Sequence, residues 1–162
     1  KIYQIHDHGR DTEGEVKRWG RNSRLDNLQA AVLNYKLPSY SNVIKRRREL
    51  AQLYQDRLEN FEELQLPPGP NIDSDHFDVY QNYELQAENR DNLKVFLSDS
   101  GIGTLIQWGG KAVHQFENLG FNHKLPRTEI FFKKCIMLPM NIFISNDDVE
   151  YICEKINEFY RS

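Results

Sequence analysis

The chain has 162 residues, 39% hydrophobic and 12% aromatic, which is enough to bury one sizeable core without a disulfide or metal staple. Its 21 Lys and Arg against 24 Asp and Glu leave a formal net charge of -3, which gives no whole-chain attraction to nucleic acid or to an anionic membrane. No run approaches the roughly 18 apolar residues of a transmembrane helix, and Cys135 and Cys153 form no CxxC or zinc pattern, so two plain thiols in a reducing cytoplasm are expected.

Residues 1–23 are polar, glycine-bearing and aperiodic, and read as a short strand or helix end at Ile2 to Ile5 followed by a loop. From Leu25 the pattern changes. Leu25, Leu28, Val32 and Tyr35 recur at helical spacing, with Asn22 or Ser23 placed to cap the helix through a short side-chain oxygen. Pro38 lacks an N–H and crowds the preceding turn, so a kink is expected near Leu37. A second helical run follows through Tyr40, Val43, Ile44, Leu50, Ala51, Tyr54 and Leu58. Lys45, Arg46, Arg47 and Arg48 fall on its other face, which reads as a solvated face because Glu49, Asp56 and Glu59 stand nearby.

Pro67, Pro68, Gly69 and Pro70 mark a turn-rich boundary. Beyond it Phe77, Val79, Tyr83, Leu85 and Ala87 alternate with polar residues at strand period. Leu93, Phe96 and Leu97 make a short helix stopped by Gly101. Thr104 to Trp108 reads as a second strand and Ile136 to Leu138 as a third, closed by Pro139. Ser145 and Asp148 form a variant capping box before a terminal helix with the stripe Val149, Ile152, Cys153, Ile156 and Phe159. The expected fold class is α+β: a long kinked helix leading into a small sheet with helices on one face.

Complete catalytic apparatus is not legible from spacing: there is no GxSxG, no phosphate loop and no Cys/His pairing. His6-Asp7-His8 offers two imidazoles but no local third ligand, so no metal site is expected. Gly101-Ile102-Gly103-Thr104 follows a helix and precedes a strand, the reverse of a dinucleotide-binding turn. Gln107-Trp108-Gly109-Gly110-Lys111 is the richest candidate. Trp offers a stacking face, Gln a bidentate amide and Lys a cation for phosphate, and the same string also reads as a plain turn with one half-buried Trp. His114 follows closely, either facing the same pocket or closing a surface turn.

The string Asn22-Ser23-Arg24-Leu25-Asp26-Asn27-Leu28-Gln29-Ala30-Ala31 resembles a signature of the DegT/DnrJ/StrS sugar aminotransferases, fold-type I enzymes that use pyridoxal phosphate (PLP). Four further segments resemble that family in the same order: His6 to Arg10 before the signature, Lys45 to Leu58 as the inter-domain helix, Asp78 to Thr104, and Leu138 to Ile156 as the C-terminal ending. The resemblance implies transfer of an amino group, usually from glutamate, to a keto group of a nucleotide-linked sugar. It also implies a cytoplasmic homodimer with composite active sites, and no nucleic-acid or membrane partner. It implies that this chain is the C-terminal portion of such an enzyme, with 1–23 a remnant of the large PLP-binding domain and a loop, 24–60 inter-domain helices and 61–162 the C-terminal small domain. No catalytic residue is then expected within it, because the lysine that anchors PLP lies upstream of Lys1 in the family, and the chain alone is expected to be inactive.

By the same resemblance Asn22 reaches the PLP phosphate in the neighbouring subunit, and Arg24 and His8 lie near that site. The family commonly has His-Tyr-Pro where this chain has Gln107-Trp108-Gly109. Gln107 and Trp108 are therefore expected at the sugar, with Lys111 and His114 as further substrate contacts. The alternative is a non-catalytic module of the same fold that senses sugar nucleotides or mediates oligomerisation.

Overall fold

The computed structural model of the protein describes residues 2–23, 25–71, 75, 77–121 and 123–161. Its contacts gather into two units, Lys1–Ser41 and Asn42–Ser162.

The first unit opens with the short helix α1 (Ile2–His6). The stretch after it is more ordered than the loop expected from its composition. Isolated antiparallel bridges join Asp7 to Asn22 and Arg10 to Val16. The N–H of His8 donates to Arg21 O at 3.1 Å, that of Ser23 to His6 O at 2.9 Å and that of Lys17 to Gly9 O at 2.9 Å. At the tip, Asp11 Oδ1 accepts from the N–H groups of Glu13 (2.9 Å) and Glu15 (3.0 Å), the local side-chain turn that short acidic residues favour. Two glycines make the pairing possible. A Cβ on Gly9, which sits at φ 82°, would overlap the carbonyl of Arg18, and one on Gly20 would overlap the backbone N of Gly9.

Helix α2 (Asn27–Lys36) starts later than Asn22 or Ser23 would place it. Asp26 occupies its N-cap position and makes no side-chain cap bond. The expected capping role fails because Asn22 and Ser23 are drawn into the hairpin with Asp7 and His6. The stripe Leu25, Leu28, Val32 and Tyr35 is exposed within this chain. The break foreseen at Pro38 is a 3-10 turn, Leu37–Ser39, after which α3 (Tyr40–Leu58) begins.

The second unit is built on the lower part of α3, where Leu50, Ala51, Tyr54 and Leu58 are buried. Its sheet has three antiparallel strands in the order β1 (Leu64–Gln65), β2 (Tyr83–Ala87) and β3 (Cys135–Leu138). Tyr83 pairs with Leu138 and Leu85 with Ile136, so these four side chains share the core face. Tyr54 stacks on Tyr83 with ring centroids 4.7 Å apart, and its hydroxyl donates to Pro139 O at 2.8 Å. Helix α4 (Arg90–Asp99) adds Leu93 and Leu97, and α6 (Asn146–Arg161) adds Val149, Ile152, Cys153 and Ile156. Burial pushes both thiols up, Cys153 to about 12, so neither ionises near neutrality.

The α+β architecture of a small sheet with helices against one face is what the sequence led us to expect. The strands are shorter. The alternation from Phe77 yields a strand only at Tyr83, because the backbone turns at Tyr80 (φ 48°), where Asp78 Oδ1 accepts the Tyr80 N–H at 2.7 Å. Thr104 to Trp108 contributes one bridge, Leu105 to Met137, before the chain winds into a 3-10 turn. Helix α5 (Pro126–Lys134) was not legible as a helix; Pro126 begins it and Lys133 and Lys134 close it. The capping box of α6 is present: the Ser145 hydroxyl donates to Asp148 Oδ2 at 2.6 Å and accepts the Asp148 N–H at 3.0 Å. Among the described residues no helix is long and apolar enough to cross a membrane.

The basic run of α3 is the largest departure, because three of its four members are partly buried tethers. Arg46 donates to Ile144 O at 2.7 Å and to Asn146 Oδ1 at 2.8 Å. Arg47 donates to Tyr80 O at 2.9 Å and Gln81 O at 2.6 Å. Arg48 donates to Asp78 O at 2.8 Å and to Pro70 O, and its guanidinium lies 4.3 Å from the Phe77 ring centroid. Only Lys45 keeps the solvated character expected of the run.

Charge-assisted bonds of this kind are worth about 1.5–3 kcal/mol, so Arg47→Met should lower unfolding free energy by roughly that much in urea titrations. Lys45→Met, at an exposed position, should change it by less than about 0.5 kcal/mol.

Candidate functional site

In the first unit, the hairpin sets His8 and Asn22 on facing strands. Asn22 is the bridge partner of Asp7, and His8, at φ 58°, donates its N–H to Arg21 O. Both residues are exposed. Backbone bonds therefore hold Asn22 and Ser23 of the signature, and Asn27 onward of it forms α2. Arg24 lies outside the described residues.

In the second unit, Gln107, Trp108, Lys111 and His114 are brought together around two clefts. The first, of about 720 Å³, runs along the outer edge of β3 and is lined by Asn82, Gly103–Trp108 and Met137–Met140. The second, of about 970 Å³, is mostly apolar and includes Lys111, His114, Phe116, Leu125 and Phe132. Trp108 lines both.

The Trp108 turn is unusual in its backbone. Trp108, Gly109 and Gly110 all lie in the left-handed region, with φ of 52°, 63° and 75°. Two glycines adopt it freely, but a residue with a Cβ loses about 1 kcal/mol or more there. Trp108 nevertheless stays 73% exposed, so burial of its ring does not offset that strain. Trp108 thus projects from a strained turn beside both clefts, with its ring open to a ligand within this chain. Beside it, Gln107 Nε2 donates to Met137 Sδ at 3.9 Å, and both residues line the first cleft.

His114 is set differently. Its ring is nearly buried, at 9% exposure, and Nε2 lies 3.2 Å from Glu129 Oε1. The same oxygen accepts the N–H of Leu125 at 3.1 Å. These bonds, the His114 contact first, hold the Glu129 carboxyl below its ordinary range. Glu129 therefore ties both His114 and Leu125 to the first turn of α5. Sequence reasoning missed Glu129 as the partner of His114, although its place four residues after Leu125, in the first turn of a Pro-initiated helix, was the available signal. Lys111 is exposed at the rim of the second cleft.

Comparison with known proteins gives this geometry a context. A sequence profile of the DegT/DnrJ/EryC1/StrS aminotransferase family matches residues 1–157. The chain is 35% identical over 145 residues to a pleiotropic regulatory protein of Geobacillus stearothermophilus, covering 88% of this chain and 39% of that protein. It is 30% identical over 146 residues to the dTDP-3-amino-3,6-dideoxy-alpha-D-galactopyranose transaminase of Aneurinibacillus thermoaerophilus, covering 86% of this chain and 38% of that one. Among solved structures, S. venezuelae DesV superposes with a TM-score of 0.88 at 26% identity, over 99% of this chain and 43% of DesV. The chain thus spans about two fifths of the length of the curated relatives it matches.

The His114–Glu129 pair has a defined pH signature. Because the Glu129 carboxyl is depressed in the folded state, its stabilising contribution is complete at neutral pH and is lost as pH falls through and below the ordinary carboxylate range. Glu129→Gln should lower the urea midpoint at pH 7, and the gap from the parent should close on acidification. A gap that persisted unchanged at low pH would contradict this account of the pair.

Proposed function

As the chain belongs to the DegT/DnrJ/EryC1/StrS aminotransferase family, we propose that it works as the C-terminal part of a PLP-dependent enzyme that moves an amino group from glutamate to a keto group of a nucleotide-linked sugar. The observation that carries this reading is the Trp108 turn: an exposed indole, held in a strained conformation, at the meeting of two clefts. A pyranose ring offers a flat apolar patch of C–H groups with hydroxyls at its edge. Trp108 suits the first, and the Gln107 amide suits the second by donating and accepting at once. Lys111 at the rim supplies a cation for the nucleotide's diphosphate.

The signature segment fits the phosphate end of the cofactor. Asn22 is exposed on a braced hairpin, and α2 begins at Asn27 without a side-chain cap on its first N–H groups, the kind of donor set that meets an anion. When bound, PLP supplies the electron sink that amino transfer requires. In this reading the chain's own residues bind and orient. Asn22 donates its amide to the phosphate of the neighbouring subunit's cofactor in a cytoplasmic homodimer, and Arg24 and His8 stand near it. Gln107, Trp108 and Lys111 position the sugar nucleotide, with His114 bracing the loop beside them. In this reading the lysine that anchors PLP lies in the remainder of the longer enzyme.

A second reading has one observation in its favour: the 35% identical Geobacillus protein is named a pleiotropic regulatory protein. A regulator of this fold would bind a sugar nucleotide through the same cleft without amino transfer. Glutamate-dependent amination of a keto-sugar nucleotide by the longer enzyme supports the first reading; tight binding without turnover supports the second.

Asn22→Ala in the longer enzyme should weaken PLP retention by about 1.5–3 kcal/mol, the usual worth of a hydrogen bond to a charged group, as read from cofactor absorbance after dialysis. Unchanged retention would remove Asn22 from the phosphate site.

A further inference from the structure

Arg90 is the one cation whose guanidinium is buried beneath the Trp108 turn among the described residues, at 8% exposure. It is the first residue of α4 yet does not point into water, as a helix-start arginine ordinarily would. Nη1 donates to Cys135 O at 2.8 Å and reaches Phe132 O at 3.4 Å, and Nε lies 2.7 Å from Asp91 Oδ1. Phe132 is in the last turn of α5, and its carbonyl is among those left without an intrahelical donor, so a cation there is favourable twice over. On its other side the guanidinium meets Gly110. A Cβ on Gly110 would stand 3.4 Å from Arg90 Nη2 and 3.3 Å from Phe132 O. Gly110 therefore packs over the Phe132 carbonyl and the guanidinium, with little room there for a side chain, and it is the last of the three consecutive left-handed residues that begin with Trp108.

We infer that Arg90 is a positioning residue for the Trp108 turn: it locks the α5–β3 corner and thereby provides the surface on which Gly110 seats, which fixes where the Trp108 ring is presented. This rests on the reading of Trp108 as a sugar contact, and it adds a residue that touches no ligand. One backbone bond closes the turn, from the Lys111 N–H to Trp108 O at 3.3 Å, and the contact beneath Gly110 adds a second constraint from outside it. Nη1 alone reaches both carbonyls, while Nη2 of the same planar group faces Gly110, so the guanidinium serves the corner and the turn from one rigid plane. A lysine ammonium, one compact point charge, reproduces only part of that.

The test is kinetic in the longer enzyme and spectroscopic in this chain. Arg90→Met should raise the KM for the sugar nucleotide by about ten-fold while kcat and the KM for the amino donor stay within about two-fold. Trp108→Ala should raise the same KM, and the double variant should be no worse than Trp108→Ala alone, because Arg90 acts through Trp108. Multiplying effects, or an unchanged sugar KM in Arg90→Met, would overturn the inference. Arg90→Lys, which keeps the buried charge, should fall between parent and Arg90→Met and serves if the latter does not fold. Should Trp108→Ala leave the sugar KM untouched, the sugar-contact reading fails. The positioning role is then decided by the ¹⁵N heteronuclear NOE of the Gly109 and Gly110 amides in the chain. A fall confined to those amides in the Arg90 variant supports it, and no change refutes it.

Discussion

The second unit depends on one constraint: three loop segments carry backbone carbonyls that have no strand or helix partner, and three successive arginines of α3 supply the donors. A buried or half-buried carbonyl left unpaired is costly, so a loop that must run close to the core needs a partner for each one. Arg48 takes Pro70 O and Asp78 O, Arg47 takes Tyr80 O and Gln81 O, and Arg46 takes Ile144 O. The consequence reaches the site. Asn82 follows directly from the segment held by Arg47, and Pro139 and Met140 lead into the segment held by Arg46, and all three line the first cleft. The Tyr54 hydroxyl pins Pro139 O from the same helix. One helix thus fixes one wall of the cleft, while Arg90 and the α5–β3 corner fix the Trp108 side.

Much of this scaffold was legible in the sequence where a residue's role is local. Ser145 and Asp148 signal a helix start by short-range bonds, Gly101 (φ 78°) signals a stop by its backbone freedom, and Leu50, Ala51, Tyr54 and Leu58 mark a core face by spacing. The misreadings share a different cause. Arg46 to Arg48 looked solvated because acidic neighbours are visible in sequence, whereas the distant carbonyls they serve are not. Thr104 to Trp108 has strand composition, but only Leu105 pairs, since the left-handed run from Trp108 turns the chain away. The hairpin of residues 7–22 depends on close approach at Gly9 and Gly20, a tertiary fact that glycine content alone does not reveal.

The candidate site was legible in its members more than in their arrangement. Gln107, Trp108 and Lys111 were singled out by side-chain chemistry, and they do meet at the clefts. His114 is bonded to Glu129, a contact fifteen residues distant that no local pattern encodes. Transferase and regulator readings use this same architecture, since either must seat a sugar nucleotide; they differ in whether an anchored cofactor faces it.

A crystal structure of the longer enzyme with an amino-sugar nucleotide tests most directly whether the Trp108 turn receives the sugar. The expected result is the pyranose ring against the Trp108 indole, with a hydroxyl bonded to the Gln107 amide. A sugar seated away from both residues, with Trp108 still projecting into solvent, would contradict it.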